Sequence, residues 1–450
     1  MAQRPPFSQL VIYALGQFGW SLAGFGAANL LVYFYLPPES EGAAVFPAFI
    51  YQGAILGVAT LIGFINFGGR IFDAITDPWI AAWSDSRPAA GGKRKKVLRL
   101  AAIPFAAFSF LLFFPPVPEL SVYNAIWLVV VVFLFYLFFT LYLVPYNALI
   151  SELGHHPPDR MRISTMISIT WALGFVIGGM AYGIQGYFEN FTDSVSAFQW
   201  TIGLFAIVSL ILMLIPAFFL DEETYAEQGE VEDVPIRKAL SSVFKQRDFR
   251  IFIGSDLLYW VALTFIQQGV SYYVTALFGW PKEQASAFLA ISFVASFLLY
   301  YPVNLGVNRY GKRPLLLSAF LVFSSVFALT ALVPVLPPAD KTVWFYVLAV
   351  LSAYPLAAFG IIPNALIADF VHTHEEETGQ QQAGMFYAVR NFMMKVGISL
   401  ALLLFPSFLL LGKTQAEPSG VTASAWAACT FCILGFLIYR QTNKTSTETS

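Results

Sequence analysis

The chain has 450 residues, is 58% apolar and only 12% charged, and carries a formal net charge of −2 with a mean hydropathy of +0.67. A soluble globular domain holds about 25% charged residues, so this composition excludes that class, and the near-zero net charge offers nucleic acid no electrostatic hold. The charges are clumped between apolar runs of roughly 20 residues or more, the length that crosses about 30 Å of hydrocarbon, so the expected partner is the lipid bilayer; a β-barrel would alternate in short segments instead.

In chain order, helical spans are predicted at 10–36, 49–83, 98–115, 122–150, 163–188, 198–220, 250–278, 284–307, 314–336, 343–368, 383–411 and 421–440, the second long enough to include a turn in water. The start MAQRPPFSQL is polar and the apolar run after it is too long for the h-region of a cleavable signal peptide, so none is predicted. Basic residues alternate between the connections. Arg87, Lys93, Arg94, Lys95, Lys96 and Arg99, then Arg160 and Arg162, then Arg237, Lys238, Lys245, Arg247 and Arg250, then Arg309, Lys312 and Arg313 fall on one side. Only Lys282, Lys341 and Lys413 fall on the other. Cytoplasmic loops hold the excess, so both termini are expected in the cytoplasm, with an even number of spans across the plasma membrane.

The polar stretch DEETYAEQGEVEDVPIRKALSSVFKQR, 221–247, reads as a cytoplasmic linker between an N-terminal half, 1–220, and a C-terminal half, 248–450. PYNALISEL closes the fourth span and PNALIADF the tenth, which puts Asn147 and Asn364 217 residues apart (364 − 147). Gly92-Lys93-Arg94 recurs as Gly311-Lys312-Arg313 at 219 (311 − 92). Two matches at nearly one offset point to duplication. Two six-helix halves related by an axis along the membrane normal define an all-α integral membrane protein of the major facilitator fold, with 12 transmembrane helices.

Three basic residues remain inside the spans: Arg70 in the second, and Arg390 and Lys395 in the eleventh. Their expected partners are Asp73 and Asp77, because an unpaired ion at the bilayer centre costs at least roughly 2.5–3.5 kcal/mol. Arg70, Asp73 and Asp77 share one stripe of the second span by their i, i+3 and i+4 spacing, as Asn391 and Lys395 share a face of the eleventh. Pro78 follows the acidic pair and frees the carbonyl four residues earlier as a further oxygen. Two carboxylates one turn apart, beside the Thr76 hydroxyl, form a hard-oxygen site for Na⁺ or a proton, for which Lys395 competes. Neutralising the carboxylates would let the halves close only with solute bound, coupling the fluxes, and the membrane potential adds about 2.3 kcal/mol per charge per 100 mV. The structural alternative is a fixed salt-bridge network between the second and eleventh spans.

Three stretches, RIFDAITDPWIAAWSD (70–85), VPYNALISEL with the following DRMR (144–162) and GMFYAVRNFMMKVG (384–397), resemble the melibiose permease-like family of glycoside-pentoside-hexuronide cation symporters. With the spacing of the spans, the resemblance covers nearly the whole chain. It implies a secondary active transporter working by alternating access, not an enzyme, with no cofactor beyond the coupling ion, and expected as a monomer. The family's cation ligands fall on Asp73, Thr76, Asp77 and Thr140, and its coupling residues on Lys395 and Arg70. The sugar side departs from the family. Its two galactosyl-gripping Asp positions hold Ser21 and Leu143 and its stacking Trp position holds Asn147, which argues against a galactoside and leaves open which sugar or glycoside-like solute is carried. Gln17, Ser21, Tyr142, Asn147, Arg390 and Asn391 are the candidate solute-binding residues. The same wider family includes sodium-dependent lysophosphatidylcholine symporters, which make a lysolipid the alternative solute, and an interior with 45 Phe and 21 Tyr suits an amphipathic one.

Other motifs carry less. The stretch from His372 through Glu377 reads as a solvated acidic loop rather than a metal cluster, and His155 and His156 in the matching loop likewise. Cys429 and Cys432 read as two small buried residues of the last span. Asp85 with GGKRKK, and NRYGKR in the second half, resemble the loop motif that latches the inward face of facilitators through charge pairs and helix ends. No GxSxG, HExxH or His and Asp pair at membrane depth supports an intramembrane enzyme.

Overall fold

A computed structural model describes residues 4–40, 42–55, 57–85, 93–154, 157–225, 244–335, 337, 340–378 and 383–442. Arg87, Gly92, His155, His156 and most of the linker, with Arg237 and Lys238, lie outside the described residues, as do the side chains of Asp85, Lys93 and Arg160.

In lipid every backbone donor must be met within the chain, so apolar runs become helices. They are α1 (Phe7–Phe25), continued through a π turn (Gly26–Leu30) into α2 (Leu31–Tyr35), α3 (Leu61–Asp85), α4 (Lys93–Leu111), α5 (Val122–Leu153), α6 (Pro157–Gly179), α7 (Ala181–Phe188), α8 (Ser194–Phe219) and a single turn α9 (Glu222–Tyr225). There follow α10 (Arg247–Tyr272) with its π segment (Tyr273–Phe278), α11 (Gln284–Tyr310), α12 (Lys312–Leu332), α13 (Lys341–Thr378), α14 (Ala383–Phe408) and α15 (Ser419–Tyr439). Among the described residues, 10 helical stretches are long and apolar enough to cross a membrane. The other two expected spans are α3 and α4, of 25 and 19 residues, long enough but more heavily charged, with Arg70, Asp73 and Asp77 in α3 and Arg94, Lys95, Lys96 and Arg99 in α4.

Three boundaries differ from the sequence reading. The predicted span 49–83 becomes helical only at Leu61; before it Ala54–Ile55 pairs antiparallel with Ala59–Thr60 around Gly57, whose φ of 72° glycine adopts without strain. The predicted span 163–188 breaks at Met180 into α6 and α7. The tenth span runs on to Thr378, so the stretch from His372 to Glu377 is helix rather than loop, and His372 Nδ1 lies 3.5 Å from Glu376 Oε1 one turn on. At the start of α8, Asp193 accepts the Ser196 N–H at 3.0 Å, and this bond to the charged form holds its carboxyl below the usual value.

The chain divides into two compact units, 1–37 with 44–231 and 38–43 with 232–450. In the first, α1 packs on α6 and α8, α4 on α5 and α8, and α3 on α5. In the second, α10 packs on α14 and α15, α12 on α13 and α15, and α11 on α13. With α10 to α15 taken as counterparts of α1, α3, α4, α5, α6 and α8, these pairings are the same set, and both first helices end in a π segment. The duplication that two short motifs announced therefore extends through the packing of each unit.

Close approach of α1 to α8 depends on Gly19, where a Cβ would sit 2.8 Å from the Ser209 carbonyl oxygen and 2.9 Å from the Met213 nitrogen. Backbone cannot step aside as a side chain can, and small residues are what let membrane helices pack this closely. Gly19→Val is expected to force the two helices apart and cost about 1–3 kcal/mol, read as a lower Tm in detergent.

Each unit also ties its basic loop motif down at helix ends. Arg94 donates from Nε and Nη2 to Glu152 Oε1 at 3.0 and 2.7 Å and from Nη1 to Ser84 Oγ at 2.7 Å, while the Glu222 carboxylate accepts the backbone N–H groups of Arg94 at 2.8 Å and Lys95 at 2.9 Å. That places a carboxylate on the positive end of α4. In the second unit Lys312 donates to both Asp369 oxygens, at 2.7 and 2.6 Å, and Arg313 to Thr442 Oγ1 and the Arg440 carbonyl. One of the three lysines that break the basic-residue alternation has a comparable duty: Lys341 donates to the Leu277 and Phe278 carbonyls that end the π segment of α10. A second, Lys413, is pushed down to about 8 by burial, with Glu39 opposing the shift.

Candidate functional site

The charged stripe of α3 is built from a helix that would otherwise bury only apolar side chains. Asp73 is fully buried. Its Oδ2 accepts Arg70 Nη1 at 3.0 Å, and its Oδ1 accepts the Thr140 hydroxyl of α5 at 2.6 Å. The Arg70 guanidinium sits 5.7 Å from the Tyr136 ring centroid and 5.9 Å from that of Phe139, so one side of the cation meets carboxylate and another meets aromatic face. Thr76, half-buried, donates back to the Phe72 and Asp73 carbonyls at 3.0 and 3.1 Å, which leaves its oxygen able to accept or coordinate. Asp77 follows one turn later, also half-buried, directly before Pro78. The ring of Pro78 removes the hydrogen bond to Ala74 four residues earlier, so that carbonyl is another oxygen on the stripe. Arg70, Asp73 and Asp77 thus put one guanidinium and two carboxylates on one helix at membrane depth.

The structure thus brings together Arg70, Asp73 and Thr140 from the sequence reading, with Thr76 and Asp77 on the same helix. The solute candidates of the first unit are placed differently. Tyr142 is fully buried with its hydroxyl on the Met213 carbonyl, Ser21 donates to Phe18 of its own helix, and Gln17 is buried in the same packing; Asn147 is exposed. Tyr13 and Tyr146 stack at 4.4 Å between centroids, each hydroxyl bonded to the other's backbone carbonyl, joining α1 to α5.

In the second unit Lys395 is buried on α14 and Asn391 is exposed. Arg390 corrects an expectation. Its partner is not the acidic pair of α3 but Asp256 of α10, with Nε on Oδ2 at 3.0 Å and Nη2 on Oδ1 at 3.5 Å, and Nη1 on Asn364 Oδ1 of α13 at 2.8 Å. The reason is proximity within one unit: α10 packs directly on α14, so a carboxylate on α10 reaches the guanidinium first. Asp256 lies within the expected span 250–278 as a carboxylate at membrane depth, and that is the signal in the sequence that marks it as a partner for Arg390.

Among the described residues, ten helices of membrane-spanning length and apolarity, in two units of one packing plan with ion pairs buried in each, define a multi-pass membrane protein. The MFS/sugar transport protein family model matches residues 12–439, and the chain belongs to that family, within its glycoside-pentoside-hexuronide cation symporters. It is 24% identical to the isoprimeverose transporter of Lactiplantibacillus pentosus over 70% of this chain and 62% of that protein. It is 22% identical to sodium-dependent lysophosphatidylcholine symporter 1 of Gallus gallus over 90% of this chain and 84% of that one. Among solved structures, a D-xylose-proton symporter superposes with a TM-score of 0.68 at 15% identity, covering 99% of both chains, a likeness of fold. The family and these neighbours are transporters.

Proposed function

We propose that this chain carries a neutral sugar or glycoside across the plasma membrane by symport with Na⁺, its termini cytoplasmic. The observation that supports this best is the α3 stripe. Arg70 and Asp73 form an ion pair on it, and Na⁺ entering the stripe would meet the carboxylates of Asp73 and Asp77, the Thr76 and Thr140 hydroxyls and the Ala74 carbonyl. A proton would need only one carboxylate; a set of several oxygens suits a metal cation. Arg70, the cation resident on the stripe, and Lys395 of the second unit are the proposed coupling residues. Arg390 and Asn391, with Asn147, Gln17, Ser21 and Tyr142, are the proposed solute side. The likeness to an isoprimeverose transporter supports a pentose-containing solute.

The lysophosphatidylcholine symporter supports a second reading, a Na⁺-coupled lysophospholipid carrier, through its coverage of 90% of this chain. Purified protein in proteoliposomes, assayed for uptake of D-xylose, methyl β-D-xyloside, D-glucose and lysophosphatidylcholine under an imposed Na⁺ or H⁺ gradient, separates them. Uptake of a neutral sugar driven by Na⁺ is the expected result. Uptake of lysolipid alone replaces the sugar with the lipid, and uptake driven by H⁺ alone replaces the ion.

A further inference from the structure

The pair formed by Arg390 and Asp256 lies within the second unit and is no part of the α3 stripe. Asp256 is nine residues into α10 (256 − 247) and Arg390 seven into α14 (390 − 383), about 14 and 10 Å along their helices. Asp256 is 3% and Arg390 9% exposed. A guanidinium has five N–H donors in a planar fork. Three are spent on Asp256 and Asn364, which leaves one N–H on each Nη nitrogen without a hydrogen bond among the described residues. Asn364 is exposed, its carbonyl oxygen taken by Arg390 and its amide NH₂ not. Tyr387, three residues before Arg390 on the same face of α14, is also exposed and offers an aromatic face. Donors beside an aromatic ring, on three helices of one unit, are what a sugar's hydroxyl and ring oxygens need.

The charge of this corner decides which sugar. Arg390 and Asp256 cancel, so a solute accepting from the spare donors meets hydrogen-bonding capacity without net charge. A carboxylate or phosphate on the solute would bring an uncompensated negative charge into the membrane interior, which is strongly disfavoured. The geometry points to Asp256 as the specificity-determining residue of a solute subsite formed by Arg390 and Asn364: by holding the charge of Arg390 it restricts the transporter to neutral solutes and rejects their acidic counterparts. This rests on the sugar reading above and deepens it. Asp256 itself acts through Arg390 as a positioning residue, while Arg390 and Asn364 touch the solute.

The prediction is a charge-matched change of specificity. Without the Asp256 carboxylate, Arg390 lacks a counter-charge until the solute supplies one, so Asp256→Asn should raise D-glucuronate uptake relative to D-glucose or D-xylose by about tenfold or more. Asp256→Glu keeps the charge and should keep the wild-type ratio. Arg390→Gln leaves the carboxylate alone and should shift preference toward D-glucosamine over D-glucose, a mirror test that stands if Asp256→Asn does not fold. Uptake ratios in proteoliposomes read all of these. A folded Asp256→Asn or Arg390→Gln protein with the wild-type ratio overturns the inference, as does a wild-type protein that prefers D-glucuronate. If wild type takes up no neutral sugar at all, the sugar reading fails first; if it does and the variants leave discrimination untouched, only the inference fails.

Discussion

Asp73→Asn is expected to reduce gradient-driven uptake by about 100-fold or more, close to 3 kcal/mol in free energy. The carboxylate is fully buried and bonded on one oxygen to Arg70 and on the other to Thr140. Asn retains an acceptor for the Thr140 hydroxyl but turns an NH₂ toward the guanidinium and leaves it uncompensated. Removing one partner of a buried ion pair costs about 3–5 kcal/mol. The substitution also removes one of the two carboxylates of the stripe, so the proposed coupling cation loses one of its ligands. Two effects are therefore superposed, and the double variant Arg70→Gln with Asp73→Asn separates them. It carries no orphaned cation and should recover most of the lost Tm, whereas uptake should remain uncoupled from the gradient because the Asp73 carboxylate is still missing. A folded double variant that still concentrates solute at the wild-type rate would show that Asp73 serves only to neutralise Arg70.

Arg94→Ala carries the second large effect, on stability rather than coupling. The Arg94 side chain joins Ser84 at the end of α3, Glu152 at the end of α5 and its own helix start, and both members of the pair are buried. Truncation takes the cation away from the largely buried Glu152 carboxylate, and the expected loss is about 3–5 kcal/mol. Replacing both partners by apolar residues of similar volume, Arg94→Met with Glu152→Leu, removes the stranded charge and should restore most of the loss. Thermal unfolding of the four proteins in one detergent forms a double-mutant cycle. If the single and double variants fall equally, the pair contributes packing alone.

Most of the helical plan is legible in the sequence because lipid imposes one rule, that the backbone be satisfied inside each span, and apolar length reports it directly. The duplication is equally visible, since the loop motifs around Arg94 and Arg313 and the helix ends around Glu152 and Asp369 perform the same anchoring in each unit and so retain similar residues. Departures occur where hydropathy is blind to backbone conformation: the hairpin before Leu61 is as apolar as the helix that follows it, and only Gly53 and Gly57 mark it. The helical extension through His372 is missed for the opposite reason, because a polar helix beyond the span looks like a loop. At the site, spacing along α3 is enough to place Arg70, Asp73, Thr76 and Asp77 on one stripe, as helical periodicity requires. Which carboxylate Arg390 meets depends on which helices pack together, a tertiary fact that one-dimensional spacing does not carry, and so Asp256 went unrecognised. The bond from the Tyr142 hydroxyl to the Met213 carbonyl of α8 is likewise a tertiary fact that position on the fourth span does not carry.

In the proposed function the α3 stripe binds the coupling cation with Asp77 among its ligands. Its most direct test is the Na⁺ dependence of thermal unfolding of purified wild-type and Asp77→Asn proteins, with choline balancing the ionic strength. A ligand that binds only the folded state stabilises it by RT ln(1 + [L]/Kd), about 2.7 kcal/mol at 100 times Kd. A saturable rise in wild-type Tm with Na⁺, lost in Asp77→Asn while that variant remains folded, is the predicted result; an Asp77→Asn protein that keeps the full Na⁺-dependent rise would contradict the assignment.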